Sequence, residues 1–275
     1  MKELTLKVVK PILKVRDVNS HKGTFGHALL IAGSKGMIGS AVIGAKACLR
    51  CGVGLLTVNI PEEERTILQI PVPEAMLSFR ERIMELNLDK YSSIVIGPGI
   101  GLSLDSEILL KNVVKNCKVP LLIDADGLNL LAKNQDFIKL LPKNTILTPH
   151  PKEFDRLFGK NETTEERINT AKLKAKELNV VIVLKGHQTF IAAGNESFLN
   201  TTGNSGLAKA GSGDALSGII LSFLAQNYEA LEAAKLGVFI LGLAADLCLE
   251  TQSFESMLIT DVIENMGMTF KKISE

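Results

Sequence analysis

Thr201-Thr-Gly-Asn-Ser-Gly-Leu-Ala-Lys-Ala-Gly-Ser-Gly-Asp-Ala-Leu216 is a glycine-rich polar stretch that runs directly into an apolar helical pattern, Leu216, Ile219, Ile220, Phe223 and Leu224. Gly203, Gly206, Gly211 and Gly213 can take positive φ and bring backbone N–H groups up to a ligand with no Cβ in the way. The stretch ends at a helix N-terminus, where unpaired N–H groups and the helix dipole favour phosphate oxygens. Asp214 falls at or just inside that helix start and can face whatever the loop holds, so it reads as a proton acceptor. A second reading makes Asp214 a helix cap and the glycines an ordinary turn. The number of glycines ahead of one buried-looking helix exceeds what a turn needs, which favours an anion-binding loop.

The same kind of strand–loop–helix unit recurs upstream. Ala28-Leu-Leu-Ile-Ala-Gly33 reads as a buried strand, followed by the loop Ser34–Gly39 and a helix over about Ser40 to Arg50. That loop has neither the Walker spacing nor Gly-x-Gly-x-x-Gly, so only close ligand approach follows from it. Leu55–Ile60 and Ser93–Ile96 are further strands, the second running into Gly97-Pro-Gly-Ile-Gly101 at a strand's carboxyl end, where open α/β sheets bind ligands. A helix is predicted over about Leu104 to Asn116. Pro120-Leu-Leu-Ile-Asp124 then delivers Asp124, Asp126 and Asn129 to the same edge, as metal ligands or, for Asp126, as the cap of a short helix.

In Thr145-Ile-Leu-Thr-Pro-His-Pro-Lys-Glu-Phe154, a strand leads into a proline-fixed turn that points His150 and Glu153 outward. Thr163-x-x-Glu166 is a capping box for a helix from Thr164 to Leu178. The apolar strand Val180–Leu184 ends in Lys185-Gly-His-Gln-Thr189, where the lysine can meet a phosphate and Gly186 permits backbone contact. Phe190–Ala193 and Ser197–Asn200 read as a hairpin at the sheet edge, and residues 1–27 carry little pattern. After the glycine-rich loop, helices are predicted near Gly213–Gln226, Ala230–Glu250 and Leu258–Lys272. Alternating strands and helices predict an α/β fold, a mostly parallel sheet covered on both faces, with the glycine loops, His150, Lys185 and Asp214 gathered at its carboxyl edge.

Composition narrows the function. The 275 residues are 46% hydrophobic, enough for one large α/β domain spanning 1–275. Lys plus Arg (31) nearly balances Asp plus Glu (30), and no basic cluster is interleaved with aromatics, which excludes a nucleic-acid surface and favours a small-molecule partner. The N-terminus lacks the apolar core of a signal peptide, and the longest apolar run, Leu236 to Ala245, is too short to span a bilayer; a cytoplasmic protein without a membrane partner is expected. Cys48 and Cys51 form a Cys-x-x-Cys inside a small-residue helical pattern, with Cys117 and Cys248 isolated, which fits core packing better than a redox or zinc site.

Six segments in order, "SHKGTFGHALLIAGSKGMIGSA", "VIGPGIG", "LLIDADGLNLL", "ILTPHPKEF", "VLKGHQTFIA" and "TTGNSGLAKAGSGDALSG", resemble the ADP/ATP-dependent NAD(P)H-hydrate dehydratase branch of the ribokinase-like superfamily. They run from residue 20 to about 218, and "DADGLNLL" with "TPHPKEF" is more specific than Gly-Ser-Gly-Asp, which the whole kinase superfamily shares. The resemblance implies a ribokinase-like fold, and dehydration of the (6S) hydrate of NADH or NADPH driven by ADP or ATP with Mg²⁺. Matching the family's motifs residue by residue puts Ala41, Gly101, His150 and Asp214 on the hydrate, with Asp214 as the catalytic base. Lys185, Gly186, His187, Gln188, Thr189 and Gly213 fall on the nucleotide, and no metal ligand is assigned. Members often read Gly-Thr-Gly-Asp and Thr-Pro-His-Pro-Gly-Glu where this chain has Ser212 and Lys152; neither change threatens the match, because Ser keeps the hydroxyl. The resemblance and the apolar C-terminal helices point to a homo-oligomer, a tetramer. With about twenty residues before the first motif, the chain is expected to lack the epimerase domain that many relatives carry.

Two other readings stay open on sequence. A small-alcohol kinase would use the same Asp214 without the elimination, and a non-catalytic nucleotide-binding module would survive its replacement.

Overall fold

The computed structural model describes residues 1–81 and 87–275. Its strands are β1 (Lys2–Leu4), β2 (His27–Ile31), β3 (Leu55–Ile60), β4 (Met76–Phe79), β5 (Ser93–Ile96), β6 (Leu121–Ile123), β7 (Ile146–Leu147), β8 (Val181–Leu184), β9 (Thr189–Ala193) and β10 (Glu196–Asn200). Its α-helices are α1 (Leu6–Val9), α2 (Gly39–Arg50), α3 (Arg65–Gln69), α4 (Leu104–Asn116), α5 (Asp126–Lys133), α6 (Pro151–Phe158), α7 (Thr164–Leu178), α8 (Ser212–Ala225), α9 (Ala230–Cys248), α10 (Ile259–Glu264) and α11 (Met266–Ser274).

The ten strands of the described residues join one sheet in the order β1-β10-β9-β8-β7-β6-β5-β2-β3-β4. β9 runs antiparallel to both its neighbours, and the other pairings are parallel. Strand periodicity divides the buried side chains between two faces. Ala28, Leu30, Val95, Leu122, Val181 and Val183 join one core with α2, α8 and α9. Leu29, Ile31, Ile94, Ile96, Ile123 and Ile182 join the other, with α4 to α7. Short apolar strands with no polar face are what burial on both sides demands.

One close approach sets the first helical layer. A Cβ built on Gly218 of α8 would sit 2.1 Å from the carbonyl oxygen of Gly44 in α2, and one on Gly44 would meet Leu30 at 3.1 Å. The two backbones therefore touch, and that contact brings the start of α8 against the start of α2.

The chain departs from the sequence reading in four places. Lys2–Leu4, in the stretch read as patternless, pairs parallel with β10, so the β9–β10 hairpin is not the sheet edge. β4 went unread because Met76-Leu-Ser-Phe79 is only four residues long, too short to signal a strand by itself; its pairing with β3 supplies what its length does not. His150 and Glu153 lie on no free turn: Pro149 and Pro151 bracket the N-cap of α6, and Pro151 is its first residue. The last predicted helix is two, broken at Asn265.

Candidate active site

After β4 the chain returns to lay β5 on the other side of β2, so the order reverses between β2 and β5. That switch point opens a crevice at the carboxyl ends of the strands. Two glycine loops line it and are sewn together: Gly33 N–H donates to Pro98 O at 2.8 Å, and a Cβ on Gly99 would sit 2.8 Å from Ser40 Oγ. Gly101 has φ +78°, donates its N–H to Asp126 Oδ2 at 2.9 Å, and has open space where a Cβ would be. Asp126 is thus no helix cap; Ala125 holds that position with φ 50°.

Asp214 is the third residue of α8, whose N-cap, Gly211, has φ 94° and no side-chain cap bond. The carboxylate is not spent on capping. Burial first, then the neighbouring Asp124 charge, pushes its pKa up to about 6, against the Ser40 hydroxyl and the Lys185 ammonium, which act to lower it. A half-buried carboxyl poised this close to neutrality is suited to accept a proton. Activity that needs it ionised is expected to fall about tenfold per pH unit below about 6 and to be level above, in a kcat/KM profile.

Beside Asp214 runs a charged chain. Lys185 Nζ donates to Asp124 Oδ1 at 2.8 Å and lies 4.0 Å from Glu153 Oε2. Ser217 Oγ donates to Asp124 Oδ2 at 2.8 Å. Burial works against the Lys185 charge, but Asp124, Glu153 and Asp214 together outweigh it and hold the ammonium above the ordinary lysine range. Gly213 closes the cluster: a Cβ there would lie 3.3 Å from Lys185 Nζ and 3.6 Å from Asp124 Oδ2.

His150 and Glu153 form a reciprocal cap. His150 Nδ1 accepts from the N–H groups of Lys152 (3.1 Å) and Glu153 (3.4 Å), and Glu153 Oε2 accepts from His150 N–H at 2.8 Å. With Nδ1 accepting, the neutral ring carries its proton on Nε2, which lies 3.4 Å from Glu153 Oε1. Burial lowers the imidazole pKa, against the opposing pull of Glu153. Glu153 is 6% exposed, so the acid is an anchor for His150 and Lys185 rather than an open ligand.

A cavity of about 460 Å³ adjoins this edge, lined by Gly186, His187, Thr189, Leu216, Val238 and Leu241 among others. Gln188 is exposed beside it. Ala41 alone among the expected site residues is fully buried; it seats the Gly33 loop, 3.2 Å from a Cβ built there. Sequence reading missed Asp246 on α9, whose carboxylate accepts from Gly203 N–H at 2.9 Å and Asn204 Nδ2 at 3.1 Å and so pins the glycine-rich loop. Its signal was an acid in an otherwise apolar part of a helix. Ser217, a polar residue facing inward on α8, was equally visible.

Among the described residues no group of three or more His, Cys, Asp or Glu side chains could hold a metal ion, and no helix is long and apolar enough to cross a membrane. All four cysteines are buried and free, and burial raises the thiol pKa of each, as packing residues require.

Residues 28–267 match the family model described as NAD(P)H-hydrate dehydratase. The chain is 37% identical over 268 residues to the bifunctional NAD(P)H-hydrate repair enzyme Nnr of Coxiella burnetii, covering 96% of this chain and 54% of that one. It is 35% identical to the ADP-dependent (S)-NAD(P)H-hydrate dehydratase of Bacillus subtilis, over 96% of each. The chain therefore spans about half the length of the bifunctional relatives and nearly all of the stand-alone one. The crystal structure of the ADP/ATP-dependent NAD(P)H-hydrate dehydratase from Bacillus subtilis, co-crystallised with ATP/Mg²⁺, superposes with a TM-score of 0.90 at 34% identity, covering 99% of this chain and 98% of that one. The fold is ribokinase-like, and the chain belongs to the NAD(P)H-hydrate dehydratase family.

Proposed function

We propose that this chain, as a single ribokinase-like domain, dehydrates the (6S) hydrate of NADH or NADPH at the expense of ADP or ATP. The observation that carries the reading is Asp214: a half-buried carboxylate at the first turn of α8, not used as a cap, with a pKa raised to about 6 beside the Lys185–Asp124 pair. The hydrate's 6-hydroxyl is a poor leaving group. Asp214 takes its proton as the terminal phosphoryl of the nucleotide passes to that oxygen. Phosphate then leaves with the C6–O electrons, and loss of a proton from C5 restores the ring double bond. With ADP the balance is hydrate plus ADP giving NADH, AMP and phosphate.

Gly101 and His150 border the hydrate, with Ala41 holding the loop beneath it. Lys185 and Gly213, with the backbone from Gly186 to Thr189, hold the nucleotide, whose base enters the 460 Å³ cavity. Preorganised donors at the Gly211–Gly213 turn and the α8 N-terminus act on the charge of the transferring phosphoryl group. The donor set fits a nucleotide-borne Mg²⁺: with no all-protein cage among the described residues, the ion would be held by the nucleotide's phosphates and water and would neutralise phosphoryl charge.

A small-alcohol kinase would keep the phosphate on its product. The expected stoichiometry is one free phosphate per dihydropyridine restored; hydrate consumed with phosphate retained on an organic product overturns the reading. We also assign a homotetramer, on the exposed apolar residues Leu102, Leu104 and Ile108, and a cytoplasmic location, since among the described residues no helix is long and apolar enough to cross a membrane. Light scattering should give about four times the 29.7 kDa chain, and a monomer at all concentrations contradicts it.

A further inference from the structure

Arg80 directly follows β4, at the carboxyl ends of β2 and β3. Its Nε donates to Asn59 Oδ1 at 3.1 Å, and its Nη2 donates to Ala32 O and Asn59 O, each at 2.9 Å. Asn59 is fully buried, and its own amide donates to Ser78 Oγ at 3.0 Å, which fixes the oxygen toward the guanidinium. The fork is thus rigidly aimed, yet every acceptor is neutral, and no carboxylate of a described residue pairs with it. Burial lowers the guanidinium pKa to about 10, against the charge of neighbouring Glu81, which acts to raise it without a close ion pair, so the group is still charged at neutral pH. A half-buried cation held only by neutral acceptors is costly until an anion completes it.

Its place says which anion. Ala32 immediately precedes Gly33, the first residue of the loop that borders the crevice. The nucleotide cavity lies on the β8–β9 side of that crevice. A dinucleotide whose ring reaches Asp214 must extend the other way, over β3 and β4, about 5 and 10 Å beyond β2.

We propose that Arg80 anchors the hydrate dinucleotide by donating from Nη1, which bonds to none of the described residues, to a phosphate oxygen of the substrate. This rests on the dehydratase reading of the site. Pyrophosphate and 2′-phosphate offer the same chemistry, and arginine suits the place because its fork can spend Nε and Nη2 on Asn59 and Ala32 while Nη1 still donates.

The test compares R80M and R80K with the unaltered protein, reading kcat and KM for both hydrates and for ADP, and the Kd of intact NADPH and NADH by calorimetry. R80M should raise hydrate KM and reduced-dinucleotide Kd about tenfold or more, with ADP KM and kcat within about threefold; R80K should recover part of the loss. An effect confined to NADPH places the contact on the 2′-phosphate, and one shared by both places it on the pyrophosphate. Unchanged hydrate KM and dinucleotide Kd, or an ADP KM that rises in step with them, overturns the proposal in favour of a structural clamp. Should R80M fail to fold, R80K decides by the same split. If the unaltered protein binds dinucleotide but turns over no hydrate, the dehydratase reading fails, and the R80M effect on Kd still decides for or against Arg80; if it binds none, both fail.

Discussion

Replacing Asp214 by Asn is expected to lower nucleotide-dependent turnover by about 10²–10⁴-fold, the range for loss of a general base, while making the protein more stable. The fold raises this carboxyl from 3.8 to about 6, so ionisation is harder in the folded chain than in the unfolded one. The sign follows: below pH 4 both states hold the proton and nothing is lost, and above about 6 the folded state carries a burden on the order of 3 kcal/mol at most. Asn removes that burden. Thermal unfolding at pH 8 should move up by a few degrees, about 2–8 °C, and at pH 4 should not move. The ADP dissociation constant should stay within about threefold, since Lys185 and Gly213 are untouched. A variant that keeps turnover, or that loses turnover by unfolding, contradicts the assignment of Asp214 as the base. Stability given up for a poised group is a common signature of active sites.

Gly218→Ala is the second large effect. The new methyl would lie 2.1 Å from Gly44 O and 3.0 Å from Gly44 Cα, backbone atoms inside a helix that cannot rotate away. α2 and α8 must separate, at a cost of about 2–4 kcal/mol even after the gain in helix propensity. The melting temperature should fall by about 5–15 °C. Activity should fall further than the folded fraction, because Gly44 and Asp214 share this contact: a Cβ on Gly44 would meet Asp214 O at 3.4 Å. Gly267→Ala in α11 is the control, since nothing lies within 4 Å of its Cβ position. It should be neutral or slightly stabilising, and equal behaviour of the two variants would sink the packing account.

Much of the fold was legible because it is written locally. The continuous apolar runs at Ala28–Ile31 and Val181–Leu184 and the cap at Thr163 each specify their element within a few residues. So was the convergence of Gly101, Lys185 and Asp214, since parallel α/β topology carries every loop after a strand to one edge. What escaped depends on distant partners. Lys2–Leu4 is a strand only because β10 offers it an edge, and Met76–Phe79 only because β3 does. The Asp124–Lys185 pair spans 61 positions, and the Asp246 anchor joins a helix to a loop 43 positions away. His150 shows the limit from the other side: the Pro-His-Pro pattern announced a rigid residue, but capping of α6 was hidden until Glu153 was seen to turn back onto it.

The most direct test of the central claim is absorbance at the dihydronicotinamide band, followed after mixing the protein with NADH hydrate, Mg²⁺ and ADP or ATP, with Asp214→Asn alongside. The account predicts a rise that needs the nucleotide and is lost in the variant. No rise with either nucleotide, when both epimers are supplied, contradicts it.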